Sequence, residues 1–250
     1  MSTRQKIIGI IPARYQSSRF PGKPLVLLLG KPMILHVAEI TARALGKENT
    51  WVATDDQRIA NIVKGAGFNV AITLETALTG TDRVWETAKQ VKADIYLNIQ
   101  GDEPLLNPKD IELIVAEKKK RKKGVINGMC RLLPHEDPSN VNIPKVITTE
   151  NNRMVYMSRA VIPGFKSSHN KPAYYMKQVC IYAFTYKELE AFGEFGRKSI
   201  LEKHEDIEIL RFLDLSIPVF MVETDGASLA VDIPEDVPIV EDVLRRKKEK

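Results

Sequence analysis

Short apolar runs alternate with amphipathic stretches through the first hundred residues. Residues 7–11 form an apolar run that reads as a buried strand. Pro32 suits a first helical turn. Ile34, Val37, Ala38, Thr41 and Ala44 then recur near the helical period, and Gly46 closes the pattern. Residues 50–54 predict a second strand, and Asp55-Asp56 at its end offer a helix cap. The stripe Ile59, Ile62, Val63 and Ala66 marks that helix, stopped by Gly65 and Gly67. A short strand is expected at 70–73. A helix capped by Thr81 and carrying Val84, Ala88 and Val91 follows, then a strand at 95–99. Strand and helix in this alternation predict an α/β fold with a doubly wound, mostly parallel sheet.

The pattern changes in the second half. Residues 125–133, 145–149, 154–158 and 176–184 are β-rich, with Asn151-Asn152 as a hairpin turn. Helical periodicity returns at 186–192 and as one stretch over 200–213. A strand is expected at 218–222, and a last helix opens near Pro234. Neither an internal repeat nor a low-complexity linker interrupts this. The expectation is one domain over 1–250, with a smaller β-rich lobe sharing the sheet.

Composition narrows the function. A 44% apolar fraction in 250 residues supports a substantial core. No apolar run approaches the roughly 18–20 residues that span a bilayer. The apolar stretch near the N-terminus, about five residues, is too short for a signal-peptide core. The two cysteines, Cys130 and Cys180, form no redox or metal motif. They are expected in the core, and a reducing, cytoplasmic location is the default. Histidines form no cluster: His36 belongs to a helix, His135 and His169 to loops. The net charge of +5 is concentrated in residues 118–123 and the tail 245–250. The first run closes a helix, where cations suit the negative end of the dipole. It lacks the interleaved aromatics that single-stranded nucleic acid would use, so nucleic acid is not an expected partner.

Candidate chemistry collects at the predicted strand ends, where open α/β sheets bind ligands. After the first strand comes a loop with Arg14, Arg19 and Lys23, the hydroxyls of Ser17 and Ser18, and Gly22. Cations and a closely approaching backbone can wrap a polyphosphate. The loop is neither a Walker A nor a dinucleotide fingerprint, because both glycine patterns are missing. Thr54-Asp55-Asp56 ends the second strand. Thr79-Gly80-Thr81-Asp82-Arg83 opens a helix. Gln100-Gly101-Asp102-Glu103 ends the fourth strand. Asp102 suits Mg²⁺, which uses one or two carboxylates plus substrate phosphates. Asp232 is a second candidate; its alternative role is to cap the helix near Pro234.

These pieces together resemble a family. Pro12-Ala-Arg-Tyr, Ser-Arg-Phe-Pro-Gly-Lys-Pro24, Val52-Ala-Thr-Asp-Asp56, Thr79-Gly-Thr-Asp-Arg83 and Asn98-Ile-Gln-Gly-Asp-Glu-Pro104 are similar to motifs of the 3-deoxy-manno-octulosonate cytidylyltransferases, the CMP-Kdo synthetases. So are Tyr156-Met-Ser-Arg-Ala-Val-Ile-Pro163 and Val231-Asp-Ile-Pro-Glu-Asp236. The match runs in order from about residue 7 to 240. The resemblance implies a Rossmann-like nucleotidyltransferase fold. It implies transfer of CMP from CTP to the anomeric hydroxyl of a 2-keto-3-deoxy sugar acid, with release of pyrophosphate. Residues 1–124 would mainly bind CTP. Residues 125–222 would bind the sugar acid and form a homodimer, and 223–250 would supply a metal-binding loop and the last helix.

Roles follow residue by residue from the same resemblance. Arg14 and Lys23, with Arg19, would hold the triphosphate. Ala13, Thr54, Asp55 and Gly80 would line the cytidine pocket, with Thr79 and Arg83 nearby. Gln100 would fix nucleotide or sugar, and Asp102 and Asp232 would hold Mg²⁺. Arg159, Gln178, Tyr182 and Glu208 would face the sugar acid. The departures lie on that side. Gln178 stands where the family has histidine, Cys180 where it has glycine, and Ile209 where it has glutamine; 226–230 also differs. Lost hydrogen-bonding groups at a sugar site lower turnover of a substrate that needed them. The acceptor is expected to be Kdo or a Kdo-like acid, and these departures point to a relative rather than Kdo itself. The alternatives are a different acid, such as a nonulosonate or phosphonate, and a non-catalytic nucleotide-binding module.

Overall fold

The computed structural model describes residues 5–16, 20–226 and 229–248. Its first half reads β1 (Ile7–Ala13), a small hairpin of β2 (Leu27–Leu28) and β3 (Lys31–Pro32), α1 (Met33–Leu45), β4 (Thr50–Thr54), α2 (Gln57–Gly65), β5 (Asn69–Ile72), α3 (Gly80–Gln90), β6 (Ile95–Ile99) and α4 (Pro108–Lys120). The second half reads β7 (Val125–Arg131), β8 (Lys145–Thr148), β9 (Met154–Ser158), β10 (Met176–Phe184), α5 (Tyr186–Glu194), α6 (Ile200–Glu205), α7 (Arg211–Asp214), β11 (Val219–Glu223) and α8 (Asp236–Lys248).

One sheet runs through both halves in the order β11-β7-β10-β6-β1-β4-β5. β1 pairs parallel with β4 and β6, β4 with β5, and β11 with β7. β10 is reversed between β6 and β7, and β8 and β9 extend from its end. Burial on both faces explains why β1 and β6 carry apolar residues without alternation. On one face Ile34 and Val37 of α1, Ile59 and Val63 of α2, and Ile111 and Ile114 of α4 pack on Ile11, Val52 and Leu97. On the other, Val84 and Trp85 of α3 join Leu189 and Phe192 of α5 and Phe212 of α7. α3 and α5 touch so closely that a Cβ on Gly193 would run into the Trp85 indole. Gly193→Ala is expected to lower stability by the upper end of the about 1–3 kcal/mol typical of overpacking. A urea melt reads this as a lower midpoint at unchanged slope.

Several expectations change. The helix expected at 200–213 is broken: Asp206 takes a left-handed φ of 49°, and a 3₁₀ turn, Glu208–Leu210, precedes α7. Thr79, not Thr81, caps α3 by accepting from the Asp82 amide. Lys118, the first of the basic run, is buried, donating to Glu188 at 2.6 Å and to the Gly124 carbonyl. Position 118 shares the buried face of Ile111, Ile114 and Val115 at helical spacing.

Candidate nucleotide and metal-binding site

The site lies at the carboxyl ends of β1, β4 and β6. Two backbone contacts build its centre. Gly101 crosses close to β1, where a Cβ would stand 2.9 Å from the Pro12 carbonyl oxygen, so Asp102 emerges directly beside the end of β1. The Val231 amide donates to the Asp102 carbonyl at 2.9 Å, which carries Asp232 to the same spot across 130 residues of chain. The loop after β1 returns through Gly22, whose φ of 72° is a left-handed conformation that glycine adopts without strain. The Gly22 amide donates to the Tyr15 carbonyl at 2.8 Å.

Lys23 then reaches inward. Its Nζ stands 2.8 Å from Asp102 Oδ2 and 3.5 Å from Asp232 Oδ1. One ammonium is thus shared by two carboxylates, a donor set of hard oxygens that suits Mg²⁺ once phosphate oxygens complete it. Among the described residues no group of three or more His, Cys, Asp or Glu side chains forms a metal cluster. Asp236 braces the turn before α8, its Oδ2 accepting from the amides of Asp232 and Ile233, and the Asp232 carboxylate faces Lys23. Arg14 lies exposed just past the end of β1; the Lys198 hydrogen bond holds the Asp206 carboxyl below its ordinary range, with smaller contributions from the charges of Lys198, Arg159 and, least, Arg14. Arg19, with Ser17 and Ser18, lies outside the described residues.

Beside this centre α3 begins at Gly80, close to Pro12 and Gln100, and the next three amides, of Thr81, Asp82 and Arg83, donate to Glu208, the Thr79 hydroxyl and the Thr79 carbonyl. Arg83 is 4% exposed and donates to Thr73 Oγ1, the Leu74 carbonyl and Asp55 Oδ2. It therefore braces the pocket wall and aims Asp55. The other carboxylate oxygen of Asp55, Oδ1, is buried without a hydrogen-bond partner. Ala13 and Thr54 lie beneath the surface; the Thr54 hydroxyl accepts from the Asp56 amide.

The second half closes the opposite side. Glu208 accepts from the Thr81 amide at 3.0 Å, Gln100 Nε2 at 3.0 Å and Asn98 Nδ2 at 3.2 Å. Burial pushes its carboxyl above the usual range despite the hydrogen bonds from Thr81. Gln178 donates to Asn127 Oδ1 and to the Tyr182 hydroxyl. Tyr182 itself is 3% exposed, and burial pushes its phenol well up. Arg159 donates to the carbonyls of Val141, Glu205 and Asp206. Ile209 corrects the sequence reading: it is 1% exposed and packs in the core with Phe212 and Phe184, so it presents no surface to a sugar hydroxyl.

Comparison with known proteins gives this arrangement a context. The cytidylyltransferase family matches residues 8–217. A 3-deoxy-manno-octulosonate cytidylyltransferase of Syntrophobacter fumaroxidans is 41% identical over 248 residues, covering 96% of this chain and 97% of its own. An 8-amino-3,8-dideoxy-manno-octulosonate cytidylyltransferase of Shewanella halifaxensis is 40% identical, covering 93% and 96%. A solved CMP:2-keto-3-deoxy-manno-octonic acid synthetase complexed with CTP superposes with a TM-score of 0.89 at 34% identity, covering 97% of this chain and 99% of that one. The chain belongs to the CMP-Kdo synthetase family of cytidylyltransferases. It is a nucleotidyltransferase. The fold is shared more widely: an inositol-1-phosphate CTP transferase of T. maritima, at 15% identity, gives a TM-score of 0.70.

The site of this CMP-Kdo synthetase family member also contains residues that motif reasoning passed over. Asn98 is wholly buried in β6 and donates to Thr81 Oγ1 as well as to Glu208. A lone amide inside the apolar run Ile-Tyr-Leu-Asn-Ile was the signal, since a buried polar side chain needs partners. Arg211 is 0% exposed and grips Asp82 and Glu202 together, Nη1 to Asp82 Oδ1 at 2.9 Å and Nε to Glu202 Oε2 at 2.7 Å. Asp82 also accepts from the Thr79 hydroxyl. The 3₁₀ turn and α7 thus hold the first turn of α3 by two residues three apart, Glu208 and Arg211.

Proposed function

We propose that this enzyme transfers CMP from CTP to the anomeric hydroxyl of Kdo or a close eight-carbon relative, releasing pyrophosphate, with Mg²⁺ as its metal. The observation that carries this reading is the convergence of Lys23, Asp102 and Asp232 at the end of β1, where Gly80 at the start of α3 packs against Pro12. Lys23 and Arg14 bind the triphosphate and offset the charge that builds on departing pyrophosphate. This is positioning and electrostatic stabilisation, the main work in such transfers. Asp102 and Asp232 hold the metal, which when bound neutralises phosphate charge and polarises the α-phosphorus. Asp55 Oδ1, a buried acceptor without a donor, fits the exocyclic amino group of cytosine; uracil carries an acceptor there instead. Gln100, Gln178 and Arg159 border the acceptor, with Glu208 setting the depth of its pocket.

Relatives of nearly equal identity carry names with two acceptors, Kdo and 8-amino-3,8-dideoxy-manno-octulosonate. With Ile209 in the core, the sequence argument against Kdo rests on Gln178, Cys180 and the altered stretch 226–230. The test is pyrophosphate release with CTP and Mg²⁺ against Kdo, its 8-amino relative and a nonulosonate. One of the two eight-carbon acids is expected to reach a kcat/KM of about 10⁴ M⁻¹ s⁻¹ or more. Turnover of the nonulosonate alone, or of none, defeats the reading.

The enzyme also acts, on this reading, as a homodimer joined through the second half. Val141, Val155, Val161, Phe165 and Tyr174 there are exposed apolar or aromatic side chains. Unpaired Cys130 and Cys180 fit a reducing compartment, so the cytoplasm is part of the proposal. Burial pushes the Cys130 thiol up to about 11, which suits a core residue and not a nucleophile.

A further inference from the structure

We infer that Lys23 and the divalent cation are alternative occupants of the Asp102–Asp232 pair, so that the lysine releases the carboxylates only when a triphosphate offers it another anion. This rests on the metal reading above and adds an order to it. The Lys23 ammonium fills the space between Asp102 Oδ2 and Asp232 Oδ1, at 2.8 and 3.5 Å. Its side chain is 16% exposed, against 27% for Asp102 and 40% for Asp232. A dication bound to the same two oxygens would meet that ammonium within a few ångströms, where like charges repel strongly at a half-buried site.

The chain around Lys23 fits a residue whose stem moves while its backbone stays. Its amide donates to the Phe20 carbonyl at 3.1 Å, and its carbonyl accepts from Val26 at 3.1 Å. Pro24 is buried in the same 3₁₀ turn. Only the four-carbon stem is free to swing, and a lysine is a flexible point charge able to exchange one anion for another. A free cation arriving alone must displace the ammonium from both carboxylates into water, and Mg²⁺ itself gives up its hydration reluctantly. A cation arriving on a triphosphate brings the phosphate oxygens that take the ammonium over. Metal and nucleotide then strengthen each other's binding, and by the same factor in both directions.

The experiment titrates Mn²⁺ alone, as the probe, into wild-type protein and Lys23→Met, reading free Mn²⁺ by electron paramagnetic resonance. It is repeated with CTP but no acceptor, correcting for Mn²⁺ held by CTP in solution. Lys23→Met is expected to bind Mn²⁺ alone about tenfold or more tighter than wild type, because a positive charge beside the metal is gone. The gain in Mn²⁺ affinity on adding CTP should shrink, while kcat/KM for CTP falls. Lys23→Gln, which keeps a polar tip and is milder on folding, should move both quantities in the same directions. Mn²⁺ binding that is no tighter in either folded variant overturns the exchange. If wild-type protein binds no Mn²⁺ even with CTP, or Asp102→Asn leaves that binding unchanged, the metal reading itself falls.

Discussion

Asp102→Asn is expected to lower kcat by about 10²–10³-fold or more while the protein remains folded. The substitution keeps the shape of the side chain and one carbonyl oxygen, so packing at the end of β6 is preserved. What it removes is a negative charge that Lys23 contacts at 2.8 Å and that the proposed metal requires. Asp102 is partly exposed, and its backbone carbonyl, not its side chain, holds Val231. The loop that delivers Asp232 therefore stays in place, and the thermal midpoint should move little. Steady-state rates at saturating CTP and Mg²⁺, alongside a melt, check both halves of this statement. A variant with wild-type kcat would remove Asp102 from the chemistry.

Arg211→Met should produce the largest loss of stability, about 3–5 kcal/mol, seen as a fall of roughly 10 °C in Tm. Arg211 is wholly buried, and its guanidinium satisfies Asp82 and Glu202 at once, while its plane lies over the Phe192 ring at 3.6 Å. Removing the cation leaves two carboxylates inside the protein with no opposite charge, and that desolvation, not the lost attraction, sets the size of the effect. Asp82 belongs to the first turn of α3, so the variant should also raise KM for CTP through a loosened Thr79–Arg83 segment. Differential scanning calorimetry and CTP saturation curves test the two consequences separately. A wild-type Tm would mean that water or a rearranged carboxylate replaces the guanidinium, and the network would lose its structural standing.

The legible parts of this protein were those governed by local rules. The strands β1, β4 and β6 were readable because burial on both faces demands continuous apolar runs. The helix stops at Gly46 and Gly67 were readable because both residues take positive φ. The polar clusters after each strand pointed to the site because parallel sheets leave their carboxyl ends open. The break at Asp206 was not readable: the apolar period continues through it, and only the fit of Glu208 and Arg211 onto α3 decides it. Ile209 was assigned to the sugar side from the family pattern, and only its packing with Phe212 and Phe184 places it in the core. The burial of Lys118 escaped too, since its partner Glu188 lies 70 residues away.

By itself, the sequence determined the doubly wound α/β class, the family, and the residue types available for handling a nucleotide, because backbone periodicity and short motifs are properties of neighbours along the chain. Only the tertiary structure decided that one ammonium sits between Asp102 and Asp232, that Arg83 steadies Asp55, and that Glu208 closes the start of α3. Those pairings join segments 28 to 209 residues apart, and their energies depend on distance and burial, which no stretch of sequence contains.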